Sequence, residues 1–133
     1  SISVLKDELE VHHDGEEDDE KITIPEFVEV YEIDGPFFFG IATKFEEMAR
    51  TRSSATVRII RMRKVSFIDA TGLHNLEIFV DASVENGRKI ILSGVNESVY
   101  KSLDRSGLVD KIGKDNILSS IHAALDRSFE VVQ

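Results

Sequence analysis

A hydroxyl and an imidazole stand three residues apart in this sequence, at Thr71 and His74, and a carboxylate precedes them at Asp69. These are the group types that activate a nucleophile in hydrolases. We expect no such reaction, because the sequence assigns neither oxyanion donors nor an acid that orients the imidazole. The helical pattern that follows also places His74 away from the apolar face.

Thr71 lies where a polar loop meets the start of a predicted helix, between Asp69 and Gly72. Its hydroxyl is a good N-cap, and a capping role alone would account for the residue. The alternative is a phosphoacceptor or a partner contact, since a phosphate would gain from the helix dipole and the free N–H groups. That phosphate would add roughly two negative charges beside Asp69, so it should change docking more than fold stability.

The dense basic cluster of the sequence lies just upstream, at Arg61, Arg63 and Lys64. Cations at the end of a strand commonly form a solvated face. The alternatives are contacts to anionic lipid headgroups or to the acidic start of the chain.

Most signatures of enzymes and cofactor sites are absent from the sequence. It has no cysteine, and no phosphate-binding glycine loop, nucleophile elbow or His-Glu-x-x-His motif occurs. His12 and His13 lie beside carboxylates, but ligands on a flexible chain are not preorganised for a metal ion. We therefore expect a non-catalytic protein without a metal or another cofactor.

The net charge of −9 is concentrated at one end of the chain. Residues 1–20 hold nine acidic side chains and one lysine (−8), whereas residues 21–133 hold sixteen acidic and fifteen basic ones (−1). The acidic block predicts a flexible linker over residues 1–21, followed by one folded domain over 22–133. A nearly neutral domain argues against nucleic-acid binding. No apolar run approaches the roughly 20 residues that cross a bilayer.

Strand patterns alternate with helix patterns along the folded part. Strands are predicted at residues 28–33, 37–39, 56–61 and 89–93, with a short apolar strand at Val65, Phe67 and Ile68. Helices are predicted at about 40–50, 71–86 and 96–107, the third capped by Asn96 and ended by Gly107, with a last helix capped by Asp115 or Asn116. Residues 108–112 are expected to form a connector. The second helix should bury the stripe Leu73, Leu76, Val80, Ser83 and Val84. This alternation predicts an α/β layered domain with a mainly parallel sheet.

The order of these elements and the stretch Phe67-Ile68-Asp69-Ala70-Thr71-Gly72-Leu73 together resemble the STAS domain. STAS domains occur as bacterial anti-sigma factor antagonists and as the cytoplasmic C-terminal part of SulP anion (sulfate) transporters. The resemblance covers residues 24–129. Gly-Pro-Phe-Phe-Phe-Gly at 35–40 and the continuation to His74 are similar to the transporter branch, and the acidic leader fits a tether after a last membrane helix.

The resemblance implies a mixed, mostly parallel sheet of about four or five strands, packed by four or so helices. It implies that Thr71 corresponds to the phosphorylatable hydroxyl of the antagonists, which usually carry serine there, with Asp69 and Gly72 as its loop neighbours. STAS domains have also been proposed to sense nucleotides, which suggests a nucleotide as a ligand of the same loop.

The function implied is that of a regulatory domain at the cytoplasmic face of the inner membrane, excised from a SulP-type transporter. Its partners would be the transmembrane domain of the parent transporter and cytosolic regulatory proteins. The alternative is a free-standing anti-sigma factor antagonist, switched by phosphorylation at Thr71.

Overall fold

A four-stranded sheet with the order β1-β4-β5-β6 forms the centre of the protein in the computed structural model. The structure describes residues 2–5, 8–12, 19–34 and 54–132. The six strands are β1 (Ile2–Leu5), β2 (Glu8–His12), β3 (Asp19–Thr23), β4 (Val28–Asp34), β5 (Val57–Lys64) and β6 (Lys89–Ser93). β4, β5 and β6 pair in parallel, and β1 pairs antiparallel with β4. The mixed, mostly parallel α/β sheet predicted from the sequence is therefore confirmed.

Helices cover both faces of the sheet. They are α1 (Ala70–Glu85), α2 (Glu97–Ser106), α3 (Leu108–Ile112) and α4 (Ile121–Val131). Side chains alternate along β5, so Ile60 and Met62 join a core with α1, α2 and α3, whereas Val57 and Ile59 join a second core with α4. β5 is buried from Val57 to Met62, as expected for a central parallel strand covered on both faces. No helix in the described ranges is long and apolar enough to cross a membrane.

The acidic start of the chain differs from the single flexible linker predicted for residues 1–21. β1 extends the main sheet, with Ile2 opposite Ile33, and β2 and β3 form a separate antiparallel pair. The charge composition does not predict these strands, because strand pairing uses main-chain groups and not side-chain charges. The pairing with β1 covers an edge of β4 that would otherwise be unpaired. Residues 13–18 lie outside the described residues, and the domain boundary itself stays a prediction.

The second half of the chain also departs from the prediction at two helices. Residues 108–112 form α3 and are not a connector, because Gly107, at a φ of +86°, ends α2 and lets a new helix begin at once. α4 begins after Ser120, whose Oγ accepts a hydrogen bond from the N–H of Ala123 at 3.1 Å. Asp115 and Asn116 are therefore not its cap. The chain first runs beside β6, where the N–H of Leu118 donates to the C=O of Leu92.

The strand predicted at 37–39, the helix predicted at 40–50 and the Gly-Pro-Phe-Phe-Phe-Gly stretch all lie outside the described residues.

A buried cation joins α1 to the sheet. The Arg58 side chain is fully buried, and its Nη1 donates a hydrogen bond to Ser83 Oγ on α1 at 2.8 Å. The guanidinium carbon lies 5.9 Å from the ring centroid of Tyr31 and 5.5 Å from that of Phe79, within cation–π range of both. Glu29 completes the group: its Oε1 is 4.0 Å from Arg58 Nε, and its Oε2 accepts from the Tyr31 hydroxyl. This contact fixes α1, and so the loop before it, on the sheet.

Burial is the largest cause of the pKa shifts of Tyr31 and Arg58 in this cluster. It raises the pKa of the Tyr31 hydroxyl above its ordinary value, and the hydrogen bond to Glu29 raises it further. Burial also lowers the pKa of Arg58 from the usual arginine value, while nearby Tyr31 acts in the opposite direction. Tyr31 therefore stays protonated and keeps donating to Glu29 throughout the neutral range.

Candidate functional site

The loop between β5 and α1 ends in an N-cap supplied by Asp69. Asp69 has an extended backbone (φ −91°, ψ 178°), and its Oδ1 accepts a hydrogen bond from the N–H of Gly72 at 2.7 Å. Its carbonyl oxygen accepts from the N–H of Leu73. The prediction that Thr71 caps this helix is therefore wrong: Thr71 is the second residue of α1. A carboxylate two residues earlier already satisfies the free N–H.

Asn96 holds the other end of the loop. Its Nδ2 donates to the carbonyl oxygens of Val65 and Ser66, at 3.1 and 3.2 Å, and its Oδ1 accepts from the N–H of Val99. The sequence predicted only the cap of α2 for this residue. Its second role could not be read from spacing, because it joins positions about thirty residues apart in the chain.

Capping by Asp69 leaves the Thr71 hydroxyl exposed on the outer face of α1. His74 and Ile78 follow at helical steps on that face, and both are exposed, as is Phe67 in the loop just before the helix. We call Phe67, Thr71, His74 and Ile78 the loop–helix surface. The sequence predicted Thr71 and His74, but it assigned Phe67 to an apolar strand, and Ile78 gave no signal.

An exposed aromatic ring identifies this surface as one that can contact a partner. The Phe67 side chain is 53% exposed, and Ile78 is 38% exposed. Rings are enriched at protein interfaces, where they bury a large area at little conformational cost. Gly72 is buried beneath the surface and Asp69 is half-buried, so these two residues shape the loop.

The site lacks the contacts of a reaction centre. No hydrogen bond joins Thr71 to His74 in the described part of the chain, and the Asp69 carboxylate is already used by the N–H of Gly72. Among the residues that the structure describes, no group of three or more His, Asp or Glu side chains could hold a metal ion. What the arrangement offers is an exposed threonine in the first turn of α1 and an exposed aromatic ring in the loop just before it, and this suits docking or modification.

The predicted basic patch is divided by the fold. Arg61 is 5% exposed, so its place in a surface patch is wrong. Burial is the main cause that lowers the pKa of Arg61 from the usual arginine value, with Arg63 next, while Glu32 acts in the opposite direction. Arg63 is exposed and its Nε donates to Glu32 Oε1 at 2.8 Å, while Lys64 Nζ is 4.0 Å from the same oxygen. Arg61 lies within the buried part of β5, whereas Arg63 and Lys64 are the two exposed residues at the end of that strand.

The cap assignment gives a direct test. Asp69→Ala should lower the free energy of unfolding by about 1 kcal/mol, because it removes the N-cap hydrogen bond to Gly72. Thr71→Ala is the matched control and should change it by less than about 0.5 kcal/mol, because the hydroxyl is exposed and caps nothing. Urea unfolding followed by circular dichroism measures both. An equal loss in the two variants would contradict the assignment.

Comparison with known proteins identifies the fold. A family profile described as the STAS domain matches residues 21–124. The chain belongs to the STAS domain family.

Two solved structures are similar to this chain in sequence as well as in fold. A sulfate transporter family protein from Wolinella succinogenes is 36% identical, with a TM-score of 0.77 over 82% of this chain and 90% of that one. The STAS domain of a SulP transporter from Vibrio cholerae is 31% identical, with a TM-score of 0.74 over 81% of this chain and 85% of that one.

The same fold occurs in an anti-sigma factor antagonist. Unphosphorylated SpoIIAA is 16% identical, with a TM-score of 0.65 over 84% of this chain and 96% of that one, which shows a shared fold alone. A comparison with curated proteins finds no match. In this STAS domain, the Asp-Ala-Thr-Gly-Leu stretch forms the cap and first turn of α1, and it leads into the exposed outer face of that helix.

Proposed function

We propose that this STAS domain is the cytoplasmic regulatory domain of a SulP-type sulfate or other anion transporter. It would act without catalysis, by docking its loop–helix surface on the transmembrane domain or on a cytosolic protein. The observation that carries this proposal is the exposed Phe67 ring, on a loop that is held at one end by Asp69 and at the other by Asn96. A rigid loop reduces the entropy lost on docking.

The two relatives above 30% identity support the transporter branch. One is described as a sulfate transporter family protein and the other as the STAS domain of a SulP transporter. The site supports a binding role, since the hydroxyl, imidazole and carboxylate near the start of α1 make no catalytic contact with one another in the described residues.

The test of this proposal is the coding sequence upstream of Ser1 in the parent gene. We expect it to encode a series of apolar segments of about 20 residues each, the length that crosses a bilayer as a helix. An upstream reading frame without any such segment would contradict the transporter role.

A free-standing antagonist is the second candidate, favoured by the exposure of the Thr71 hydroxyl in the first turn of α1. A phosphate there would meet the positive end of the helix dipole and would stand close to the Asp69 carboxylate. Incubation with ATP and candidate kinases, followed by mass spectrometry, would place phosphate on Thr71 if this role is correct. An unmodified Thr71, with partner binding unchanged in Thr71→Ala, would contradict it.

A further inference from the structure

A groove of about 320 Å³ lies towards the C-terminal end of α1, whereas Thr71 is in the first turn of that helix. It is bounded by the last turns of α1 and α4, the start of β6, and α3. Its apolar lining includes Val80, Val84, Ile90 and Ile112. Val84 is 58% exposed, although its spacing predicted that it would be buried with Leu76 and Val80. The helix therefore presents apolar surface to this groove.

The groove opens onto the start of β6, which is an edge strand of the sheet among the described residues. The N–H of Lys89 donates to the C=O of Thr56, so the main chain of Lys89 faces inward along the sheet. Because main-chain groups alternate along a strand, those of Ile90 and Leu92 face outward. The C=O of Leu92 accepts from the N–H of Leu118, whereas in the part of the chain that the structure describes the main chain of Ile90 makes no hydrogen bond outside the pairing of β6 with β5. An unpaired edge of this kind pairs readily with an added extended segment.

Basic side chains line this groove. Among the residues whose structure is described, Arg88, Lys89 and Lys111 are in the lining and no acidic side chain is. Arg88 Nε donates to the C=O of Ala55. Lys111 Nζ lies 3.0 Å from Asp81 Oδ1 and 3.5 Å from Glu77 Oε2, both on α1. These two carboxylates raise the pKa of Lys111 and partly neutralise its charge. Lys89 is exposed, so it is the cation best placed to meet an incoming carboxylate.

We propose that this groove binds an extended acidic segment of a partner protein, added along β6 at Ile90 with its carboxylates facing Lys89 and Arg88. A segment in which acidic and apolar residues alternate fits this groove, because successive side chains of a strand point to opposite faces. Its acidic side chains would then meet the cations, and its apolar side chains would meet the apolar lining. The groove shares no residue with the loop–helix surface: Thr71, His74 and Ile78 are exposed on the outer face of α1, whereas Val80 and Val84 of the same helix line the groove.

The probe is a fluorescein-labelled peptide Asp-Glu-Leu-Glu-Val, which copies residues 7–11 because they alternate in this way. Its anisotropy should rise saturably with added protein, and an Asn-Gln-Leu-Gln-Val peptide should not bind. Lys89→Glu should weaken binding about tenfold, since it reverses the charge that faces the peptide. Lys101→Glu is the matched control: it is an exposed lysine on α2, outside the groove, and should leave binding unchanged.

Amide hydrogen exchange provides a readout of strand addition that does not depend on charge. The Ile90 amide should be protected when the acidic peptide is present. Equal binding of the neutral peptide, an equal loss in Lys101→Glu, or an unprotected Ile90 amide would overturn the proposal. So would binding to vesicles of anionic lipid, lost in Lys89→Glu, without any peptide binding. Phe67→Ser should leave peptide binding unchanged, so failure here is distinguishable from failure of the transporter role.

Discussion

Arg58→Ala should lower the free energy of unfolding by about 3–5 kcal/mol, because it leaves a buried carboxylate without its cation. Arg58 is fully buried, donates to Ser83 Oγ, and lies between the rings of Tyr31 and Phe79. Its removal would leave Glu29, whose side chain is 12% exposed, facing a cavity. α1 would also lose its polar contact with β5. Urea unfolding measured by circular dichroism tests the prediction.

Arg63→Ala is the matched control for this loss. Arg63 is on the same strand and also pairs with a glutamate, Glu32, but its side chain is 37% exposed. Its loss should cost no more than about 1 kcal/mol, as for other solvent-exposed ion pairs. The double variant Glu29→Gln/Arg58→Met should recover part of the stability lost in Arg58→Ala, because it removes both charges and keeps the volume filled. Equal losses in Arg58→Ala and Arg63→Ala would contradict the structural role of the buried cation.

The second large effect concerns docking. In the proposed transporter role, Phe67→Ser should weaken the binding of this domain to the membrane part of the parent protein by about 10- to 100-fold, the range expected for loss of a central aromatic contact. The domain can be labelled at a single cysteine, Asp126→Cys on α4, since the chain has no cysteine of its own. It can then be titrated with the parent transporter lacking this domain, held in nanodiscs.

Phe129→Ser is the control, because it removes another exposed ring of comparable exposure, 61% against 53%, from a different part of the molecule. Phe129 is on α4 and its ring packs edge-on against Phe27, away from the loop. Its variant should bind as the unmodified domain does. If Phe67→Ser and Phe129→Ser weakened binding equally, the effect would not depend on where the exposed ring lies. That result would contradict docking through the loop–helix surface.

Apolar periodicity predicted the central elements of this fold well. β6 was predicted at the residues where it forms, 89–93, and β4 and β5 differ from the predictions by a few residues at their ends. Asn96 was identified as a cap and Gly107 as a helix end, since both roles depend on local backbone geometry. Such signals are contained in a few neighbouring residues, so they can be read without the tertiary structure.

The predictions from the sequence are wrong where a residue's role depends on groups that are distant in the chain or on the folded backbone. Asp69 and Thr71 are both good caps by type, and only the backbone of the folded loop shows that the carboxylate takes the N–H of Gly72. Arg61 is two residues from Arg63 in the sequence, yet it is only 5% exposed, because its burial depends on what packs against the sheet. The pairing of β1 with β4 had no side-chain signal strong enough to outweigh the acidic composition around it.

Only some residues of the candidate site could be predicted from the sequence. Thr71, His74, Asp69 and Gly72 were found from residue type and spacing. Phe67 was missed because an aromatic residue after a β-rich stretch reads as buried strand, whereas β5 ends at Lys64 and the ring lies on the loop. Exposure of an apolar side chain is a property of the folded surface, and composition does not report it.

The most direct test of the docking account is the accessibility of position 71 in the isolated domain and in the whole parent protein. A Thr71→Cys variant should react rapidly with a maleimide in the isolated domain, where this position is exposed. It should react much more slowly in the full-length transporter, while Asp126→Cys on α4 reacts at the same rate in both. Equal reactivity of position 71 in the two proteins would contradict the claim that the loop–helix surface is where this domain docks.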